Sequence, residues 1–136
     1  MPKPRSKRSP YLEDIGHCSL GILYFIQPNG KCPFEDDFLN DPKQVSKAQK
    51  AKLAALLRRY ALEGELIGEQ RIRRLKGKVR DFWEIKAHQL RIFFFKEGRN
   101  IIITHGFVKK TDNLRPEEED RMIFYRKIYN DLRLYK

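Results

Sequence analysis

The sequence predicts an α+β fold, and three features of the chain indicate it. A helical stretch with apolar residues every three or four positions comes first, four β-like stretches with short turns follow, and a second helical stretch comes last. The chain has 136 residues, which is the size of one domain, and its 40% hydrophobic residues suffice for a modest core. We therefore expect one antiparallel sheet with helices before and after it.

Residues 1–10 are predicted to form a flexible basic arm ahead of the domain, which would span residues 11–136. The segment carries Lys3, Arg5, Lys7 and Arg8, together with neighbouring prolines and no acidic residue. Such a composition favours a disordered terminus. An electrostatic tether to nucleic acid is the alternative interpretation.

The first half of the domain is predicted to hold one strand and two helices. Residues 21–27 are rich in β-forming residues, and Pro33 followed by acidic residues is typical of a helix start. The clearest helix is expected within residues 42–64, where Gly64 would end it. Its apolar face has helical spacing: Leu53, Leu56, Leu57 and Tyr60. Its charged side is interpreted as a solvated face: Lys47, Lys50, Arg58 and Arg59.

The second half is predicted to form an antiparallel meander and a final helix. The β-like stretches are separated by short turns, which favour antiparallel neighbours: 71–77, 80–87, 90–98 and 100–110. The final helix should run from Pro116 to about Leu134, because acidic residues open it and basic residues close it. Its expected apolar face is Met122, Tyr125, Ile128 or Tyr129, and Leu132.

The charge of the chain indicates the class of its partners. Lys and Arg number 29 against 18 Asp and Glu, and the net charge of +11 favours nucleic acid or an acidic protein. No apolar run approaches the roughly 18 residues of a membrane span, and no apolar stretch of a signal peptide follows the basic opening. We expect a cytoplasmic protein in which Cys18 and Cys32 are thiols, without a metal site.

Basic residues concentrate in the predicted sheet. Residues 71–91 hold eight of them: Arg71, Arg73, Arg74, Lys76, Lys78, Arg80, Lys86 and Arg91. Because alternate strand residues share a face, Phe82, Glu84 and Lys86 should lie on one side, and a tight hairpin would bring Arg91 beside Lys86. Lys109 and Lys110 at the end of the last strand could extend the cluster. A nucleic-acid cradle and an ordinary solvated face both remain open.

The order of these segments resembles the RelE/ParE superfamily of bacterial toxins. The sequence "LKGKVRDFWEIKAHQLRIFFFKEGRNIIITHGFVKKT" carries the resemblance, and its end, "ITHGFVKKT", is similar to the phage-derived HigB-like branch. The resemblance covers roughly residues 20–125. It implies a RelE-like fold, in which a small twisted antiparallel sheet is packed on one face by N-terminal helices and a C-terminal helix.

The resemblance also implies an activity, a set of site residues and partners. The activity is that of a type II toxin, a metal-independent endoribonuclease that cleaves messenger RNA, commonly on the ribosome, and that needs no cofactor. The implied catalytic residues are Lys86 as candidate base, Arg91 as phosphate clamp, and Lys110 at the leaving oxygen. RNA-binding roles are expected for Arg73, Arg74, Lys76, Lys78, Arg80, His88 and Lys109. The implied partners are a cognate helix-turn-helix antitoxin, messenger RNA and the ribosome.

The sequence departs from the family pattern at two places, which leaves alternatives open. Well-known RelE members have a basic residue where this chain has Glu84, and they place a tyrosine soon after the last basic residue, where this chain has none. Glu84 could act as a base or pair with Arg91. His105 is interpreted as structural, whereas His88 could be a proton shuttle or a turn residue. A ParE-like gyrase poison and a non-catalytic nucleic-acid-binding module are the competing functions.

Overall fold

From residue 21 onward, the elements of the chain follow the predicted order of strands and helices. The computed structural model describes residues 4–64, 72–109 and 116–133. The strands are β1 Ser6–Arg8, β2 Gly21–Phe25, β3 Ile72–Arg74, β4 Phe82–Ala87, β5 Leu90–Glu97 and β6 Asn100–Val108. The α-helices are α1 Lys47–Glu63 and α2 Pro116–Arg133. Shorter helical turns are Pro10–Leu12 and Gly77–Val79, both 3-10 helices, and the π-helix Glu35–Leu39.

The strands form one mixed sheet with the order β1-β2-β6-β5-β4-β3. The prediction of a purely antiparallel sheet is wrong at one pairing, because β2 and β6 run parallel with Ile22 opposite Ile101. All other neighbours are antiparallel. A parallel pair needs a long crossover connection, and here α1 and three strands separate β2 from β6 along the chain.

Helices cover both faces of the sheet, which corrects the expectation of helices on one face. On one side α1 and the π-helix pack on an apolar cluster that we call the α1 layer, and it includes Leu57, Ile92 and Phe94. On the other side α2 packs on the α2 layer, which includes Phe93 and Phe95. The predicted alternation of faces along β4 and β5 is confirmed, since consecutive residues of these strands belong to opposite layers.

The N-terminal segment is ordered against the sheet where a flexible arm was predicted. Ser6–Arg8 form the edge strand β1, in which Lys7 lies opposite Tyr24. Ser9 is fully buried, and its hydroxyl donates to the Tyr24 hydroxyl over 2.9 Å. Arg5 reaches Glu97 and lies over the Tyr129 ring. Acceptors from distant parts of the chain therefore match the basic residues of this segment. Within residues 1–10, only residues 1–3 lie outside the described part of the chain.

The start and end of α1 are set by local capping. The Ser46 hydroxyl accepts from the Gln49 N–H over 3.1 Å, and the Gln49 side chain accepts from the Ser46 N–H over 2.9 Å. This capping box starts the helix at Lys47, five residues after the predicted segment begins. Gly64 ends it in a left-handed conformation with φ +78°, as predicted.

A bulge in β6 determines which side chains face each layer. Phe93 lies opposite His105 and Phe94 opposite Ile103, so Thr104 is an extra residue in β6. His105 and Phe107 consequently stack beside Phe93 on the α2 side. Gly106 faces the α1 side, where a Cβ atom would come within 2.8 Å of the Phe38 ring.

The C-terminal helix has the predicted span and apolar face. It starts at Pro116 and its described part ends at Arg133. Met122 and Tyr129 are buried, while Tyr125 and Ile128 are half-buried against the α2 layer. The side chain of Leu132 lies outside the described residues. None of the described helices combines the length and the apolar character that a membrane span requires.

Candidate functional site

The hairpin between β4 and β5 brings the two central basic residues together. Lys86 and Arg91 are direct cross-strand partners, which confirms the predicted hairpin pairing. The connecting turn begins at His88, whose φ of +56° is a left-handed conformation that histidine tolerates better than most residues. The hairpin tip therefore carries three predicted site residues on one short segment.

A groove of about 670 Å³ lies between this hairpin tip and α1. Leu53, Leu56 and Leu90 form an apolar floor together with alanine side chains. Basic residues also line it: Lys52, Arg59, Lys86, His88 and Arg91. Strand alternation directs the side chains of Lys86 and Arg91 toward the α2 side of the sheet, so these two residues form the edge of the groove at the hairpin tip. Among the described residues that line it there is no carboxylate. A concave surface with an apolar floor and only basic charges favours an anionic ligand.

Arg91 is held in one orientation at the groove. Its Nη1 donates to the His88 carbonyl over 2.6 Å and to the Leu90 carbonyl over 2.9 Å. Its buried Nε lies 3.8 Å from Glu84 Oε1, which is within ion-pair distance but too long for a hydrogen bond. The side chain is only 12% exposed. Hydrogen bonds engage Nη1, and the buried Nε faces Glu84 without a hydrogen bond, so Nη2 is the guanidinium nitrogen that can bind a ligand.

Glu84 is a buried anion beneath this basic surface. Its side chain is 3% exposed, and Arg73 Nε donates to its Oε1 over 3.2 Å. The sequence left open whether Glu84 pairs with Arg91, and the structure shows this pair together with a second one to Arg73. A buried carboxylate is stable only with such partners. Glu84 is also absent from the groove lining.

Two further predicted residues lie near or beyond the end of β6. The Lys109 N–H donates to the Gln89 carbonyl over 2.7 Å, so this lysine lies beside the hairpin turn. Its side chain is half-buried. Lys110 lies outside the described residues, and its role therefore stays a prediction.

The remaining predicted RNA-binding residues lie at the other end of the hairpin. Arg74, Lys76, Lys78 and Arg80 are all exposed near the start of β4. The six residues of β4 separate them from the hairpin tip by about 20 Å. Arg74 donates to the Arg80 carbonyl over 2.8 Å, and Lys78 lies 3.8 Å from Asp120 of α2. The structure thus divides the predicted basic set into two separate patches.

The α1 side of the groove was missed by the sequence interpretation. Gln49, Lys52 and Arg59 line it, although the charged side of this helix was treated as solvated. Residues 49, 52, 56 and 59 are three or four positions apart, so they share one stripe of the helix. This spacing is the feature of the sequence that could have indicated a shared surface of Gln49, Lys52 and Arg59. The exposed Arg59–Glu63 pair, 3.3 Å apart, is of a kind that contributes little to stability.

His105 lies on the α2 side of the sheet, beside Phe93 and Tyr125, and does not line the groove. Its Nδ1 is 3.0 Å from the Thr104 hydroxyl, and its Nε2 is 3.4 Å from Glu118 Oε2 of α2. Burial lowers the pKa of His105, although the neighbouring Glu118 carboxylate opposes this shift. The position agrees with the interpretation of His105 as a structural residue.

Comparison with known proteins gives one family. The family described as "Phage derived protein Gp49-like (DUF891)" matches residues 40–127, which is well over half of the chain and includes every residue that lines the groove. No curated protein matches the chain. The family is part of the RelE/ParE-like toxin superfamily, whose RelE-type members are ribonucleases and whose toxins are usually paired with an antitoxin. The chain therefore belongs to the phage-derived Gp49-like family of toxin-like proteins.

Proposed function

We propose that this chain is the toxin of a type II toxin–antitoxin system, in the HigB-like branch, and a metal-independent endoribonuclease that cleaves messenger RNA on the ribosome. The observation that carries the proposal is the basic groove at the hairpin tip, with Arg91 held at its rim and no carboxylate among its described lining residues. Membership of a toxin-like family related to RelE-type ribonucleases supports the same conclusion.

The chemistry of RNA cleavage without a metal suits such a surface. The 2′-hydroxyl attacks the adjacent phosphate, and the reaction needs a base, an acid and stabilisation of the charge on the pentavalent phosphorus. We assign the last role to Arg91, whose Nη2 would bind a non-bridging phosphate oxygen. Lys86, directly opposite on β4, is the proposed base, and Lys110 is proposed to protonate the leaving oxygen.

The flanking basic residues are proposed to bind the RNA backbone on either side of the cut. Lys52 and Arg59 lie seven residues apart on α1, about 10 Å along the helix, on the wall opposite the hairpin. Arg73, His88 and Lys109 are proposed to steer the strand at the hairpin side. The separate patch of Arg74, Lys76, Lys78 and Arg80 is proposed to contact more distant phosphates, on the messenger or on ribosomal RNA.

The open shape of the groove explains the proposed dependence on the ribosome. A shallow surface binds a flexible RNA strand without fixing the in-line geometry that the attack of the 2′-hydroxyl requires. The ribosome holds the messenger in a defined path, and such positioning can supply a large part of the rate acceleration. The proposed partners are accordingly the ribosome, messenger RNA and a helix-turn-helix antitoxin, in the cytoplasm.

The decisive experiment is induction of the chain in bacteria without antitoxin, with mapping of RNA 5′ ends. We expect growth arrest and new cuts inside translated messages. Arg91→Ala should lower cleavage by about 10²- to 10³-fold, the usual cost of removing one donor to a transition-state charge. The matched control is Arg5→Ala, which also removes a largely buried arginine paired with a glutamate of the sheet but lies far from the groove. This variant should cleave normally.

Three other outcomes would contradict the proposal. Growth arrest with intact messages and damaged DNA indicates a gyrase poison of the ParE type. RNA binding without growth arrest indicates a non-catalytic binding module. Equal loss of cleavage in Arg91→Ala and Arg5→Ala, with lowered unfolding midpoints in both, indicates that Arg91 supports only the fold.

A further inference from the structure

We propose that Glu84 is a positioning residue for Arg91, because its buried carboxylate holds the guanidinium so that Nη2 remains available to a phosphate. The proposal rests on the ribonuclease function proposed above for the role of the phosphate. The contact between Glu84 and Arg91 can nevertheless be measured without any cleavage assay. None of the site residues predicted from the sequence was expected to position another residue.

The burial of Glu84 distinguishes it from an ordinary surface partner. Its side chain is 3% exposed, whereas Glu97, which pairs with Arg5, is 37% exposed. An exposed pair exchanges freely with water and fixes neither partner. A buried carboxylate keeps its cationic partners, because leaving it without a cation is strongly unfavourable. Arg73 keeps this carboxylate in place over 3.2 Å, and the buried Nε of Arg91 faces it, so the position of the Arg91 guanidinium depends on Glu84.

The backbone of the hairpin completes the restraint on Arg91. The carbonyls of His88 and Leu90 accept from Nη1, and Glu84 Oε1 lies on the Nε side. Two carbonyls thus accept hydrogen bonds from Nη1, and the carboxylate of Glu84 faces the buried Nε as an ion-pair partner at 3.8 Å. A side chain held in this way loses little conformational freedom when it binds a ligand, which is the advantage of preorganisation.

A second arginine preserves the positive charge that a phosphate needs. A single carboxylate paired with a single arginine would cancel the charge of the site. Here Arg73 and Arg91 contact the same oxygen of Glu84, so the three groups together carry a net charge of +1. Arg73, with 48% of its side chain exposed, can balance the buried anion from the solvent side. Arg91 can then attract a second anion.

The same geometry argues against Glu84 as the general base. A base must reach the 2′-hydroxyl directly or through one water molecule. The side chain of Glu84 is only 3% exposed, its Oε1 accepts a hydrogen bond from Arg73, and the same oxygen faces Arg91. The carboxylate therefore acts through Arg91 and not on the substrate.

The first test is a side-chain NMR measurement on Glu84→Gln, which keeps the shape of the residue and removes its charge. In the wild type, the buried Nε–H of Arg91 should give a separate signal that exchanges slowly with water. The variant should lose this protected signal. Glu97→Gln is the matched control, since it removes a glutamate that pairs with Arg5, and it should leave the Arg91 signal unchanged.

The second test is a double-mutant cycle on messenger cleavage. Glu84→Gln should lower cleavage by about 10- to 100-fold, because a displacement of a catalytic group by about 1 Å can cost on the order of 100-fold. In an Arg91→Ala background the same substitution should have no further effect, because Glu84 acts through Arg91. Glu84→Asp should also lower cleavage, because it keeps the charge but its shorter side chain moves the carboxylate away from Arg91. This variant replaces Glu84→Gln in the test if Glu84→Gln does not fold.

The outcomes separate this inference from the proposed function. An unchanged Arg91 signal in Glu84→Gln, or additive losses in the cycle, would overturn the positioning role. A wild-type protein that cuts no RNA would end the proposed function. Loss of the Arg91 signal in Glu84→Gln would still support the positioning of Arg91 in that case.

Discussion

The two sides of the sheet bury different kinds of side chain, although the same strands supply both. The α1 layer consists of aliphatic and aromatic residues with Cys32. On the α2 side, β4 buries Glu84, β6 buries His105, and α2 adds Glu118. Because side chains alternate along a strand, neighbouring residues such as Phe93 and Phe94 belong to different environments. The α1 layer thus buries groups that stay neutral near pH 7, whereas the α2 side buries a histidine and two carboxylates.

The largest expected effect is on the apolar side. Phe94→Ala should lower the free energy of unfolding by about 3–5 kcal/mol, because it removes a fully buried ring that packs near Tyr60 and Trp83. Urea unfolding measures this loss. The loss should be constant between about pH 5 and pH 8, because Phe94 and Trp83 have no titratable group and burial raises the pKa of Tyr60 further above this range.

The exposed ring of α2 provides the control for this substitution. Phe124 is 58% exposed, so Phe124→Ala should change stability by no more than about 0.5 kcal/mol. Similar losses for Phe94→Ala and Phe124→Ala would contradict the assignment of Phe94 to a closely packed layer.

A smaller, pH-dependent effect is expected on the α2 side. Burial lowers the pKa of His105 below its usual 6.5, so the unfolded chain binds a proton that the folded chain does not. The free energy of unfolding should therefore fall as the pH decreases below about 6.5. The groups that face this histidine are Thr104, Glu118, Arg121 and Tyr125. In His105→Gln the decrease between about pH 6.5 and pH 5 should be weaker.

Urea unfolding at several pH values, with wild type and His105→Gln side by side, measures this slope. His88→Gln is the matched control, because His88 is an exposed residue of the hairpin turn. An equal slope in the wild type and in His105→Gln would show that other groups cause the acid sensitivity.

The smallest expected effect is at the rim of the α2 side. Lys78 and Asp120 lie 3.8 Å apart, and their side chains are 60% and 73% exposed. Water and salt screen such a pair, so Asp120→Asn should change the free energy of unfolding by less than about 0.5 kcal/mol. A loss above about 1 kcal/mol in low-salt urea unfolding would mean that this pair holds α2 to the sheet.

Local features of the site could be predicted from the sequence, whereas its surroundings could not. The pairing of Lys86 with Arg91 follows from alternation and a two-residue turn, which are both visible in the sequence. The groove contribution of Lys52 and Arg59 depends on how α1 lies across the sheet, which a helical pattern alone does not determine. The burial of Glu84 depends similarly on how other parts of the chain pack around β4, which the pattern of residues along the strand does not show.

The strands show the same division between local and distant causes. The positions of β4, β5 and β6 follow from runs of β-forming residues between turns. The parallel pairing of β2 with β6 joins segments that are nearly eighty residues apart, for which no local signal exists. β1 was missed because its basic composition favours disorder, while its acceptors, among them Glu35 and Glu97, lie far along the chain.

The bulge at Thr104 has a consequence for the way chain length can vary in this family. The extra residue lies between two pairs that keep the regular alternation, so a relative that lacks it would still direct His105 and Phe107 to the α2 side and Gly106 to the α1 side. An insertion or deletion at another position of β6 would exchange the two sides for every later residue of the strand. Thr104 is thus the position in this strand where evolution can add or remove a residue while the two environments of the sheet stay separate.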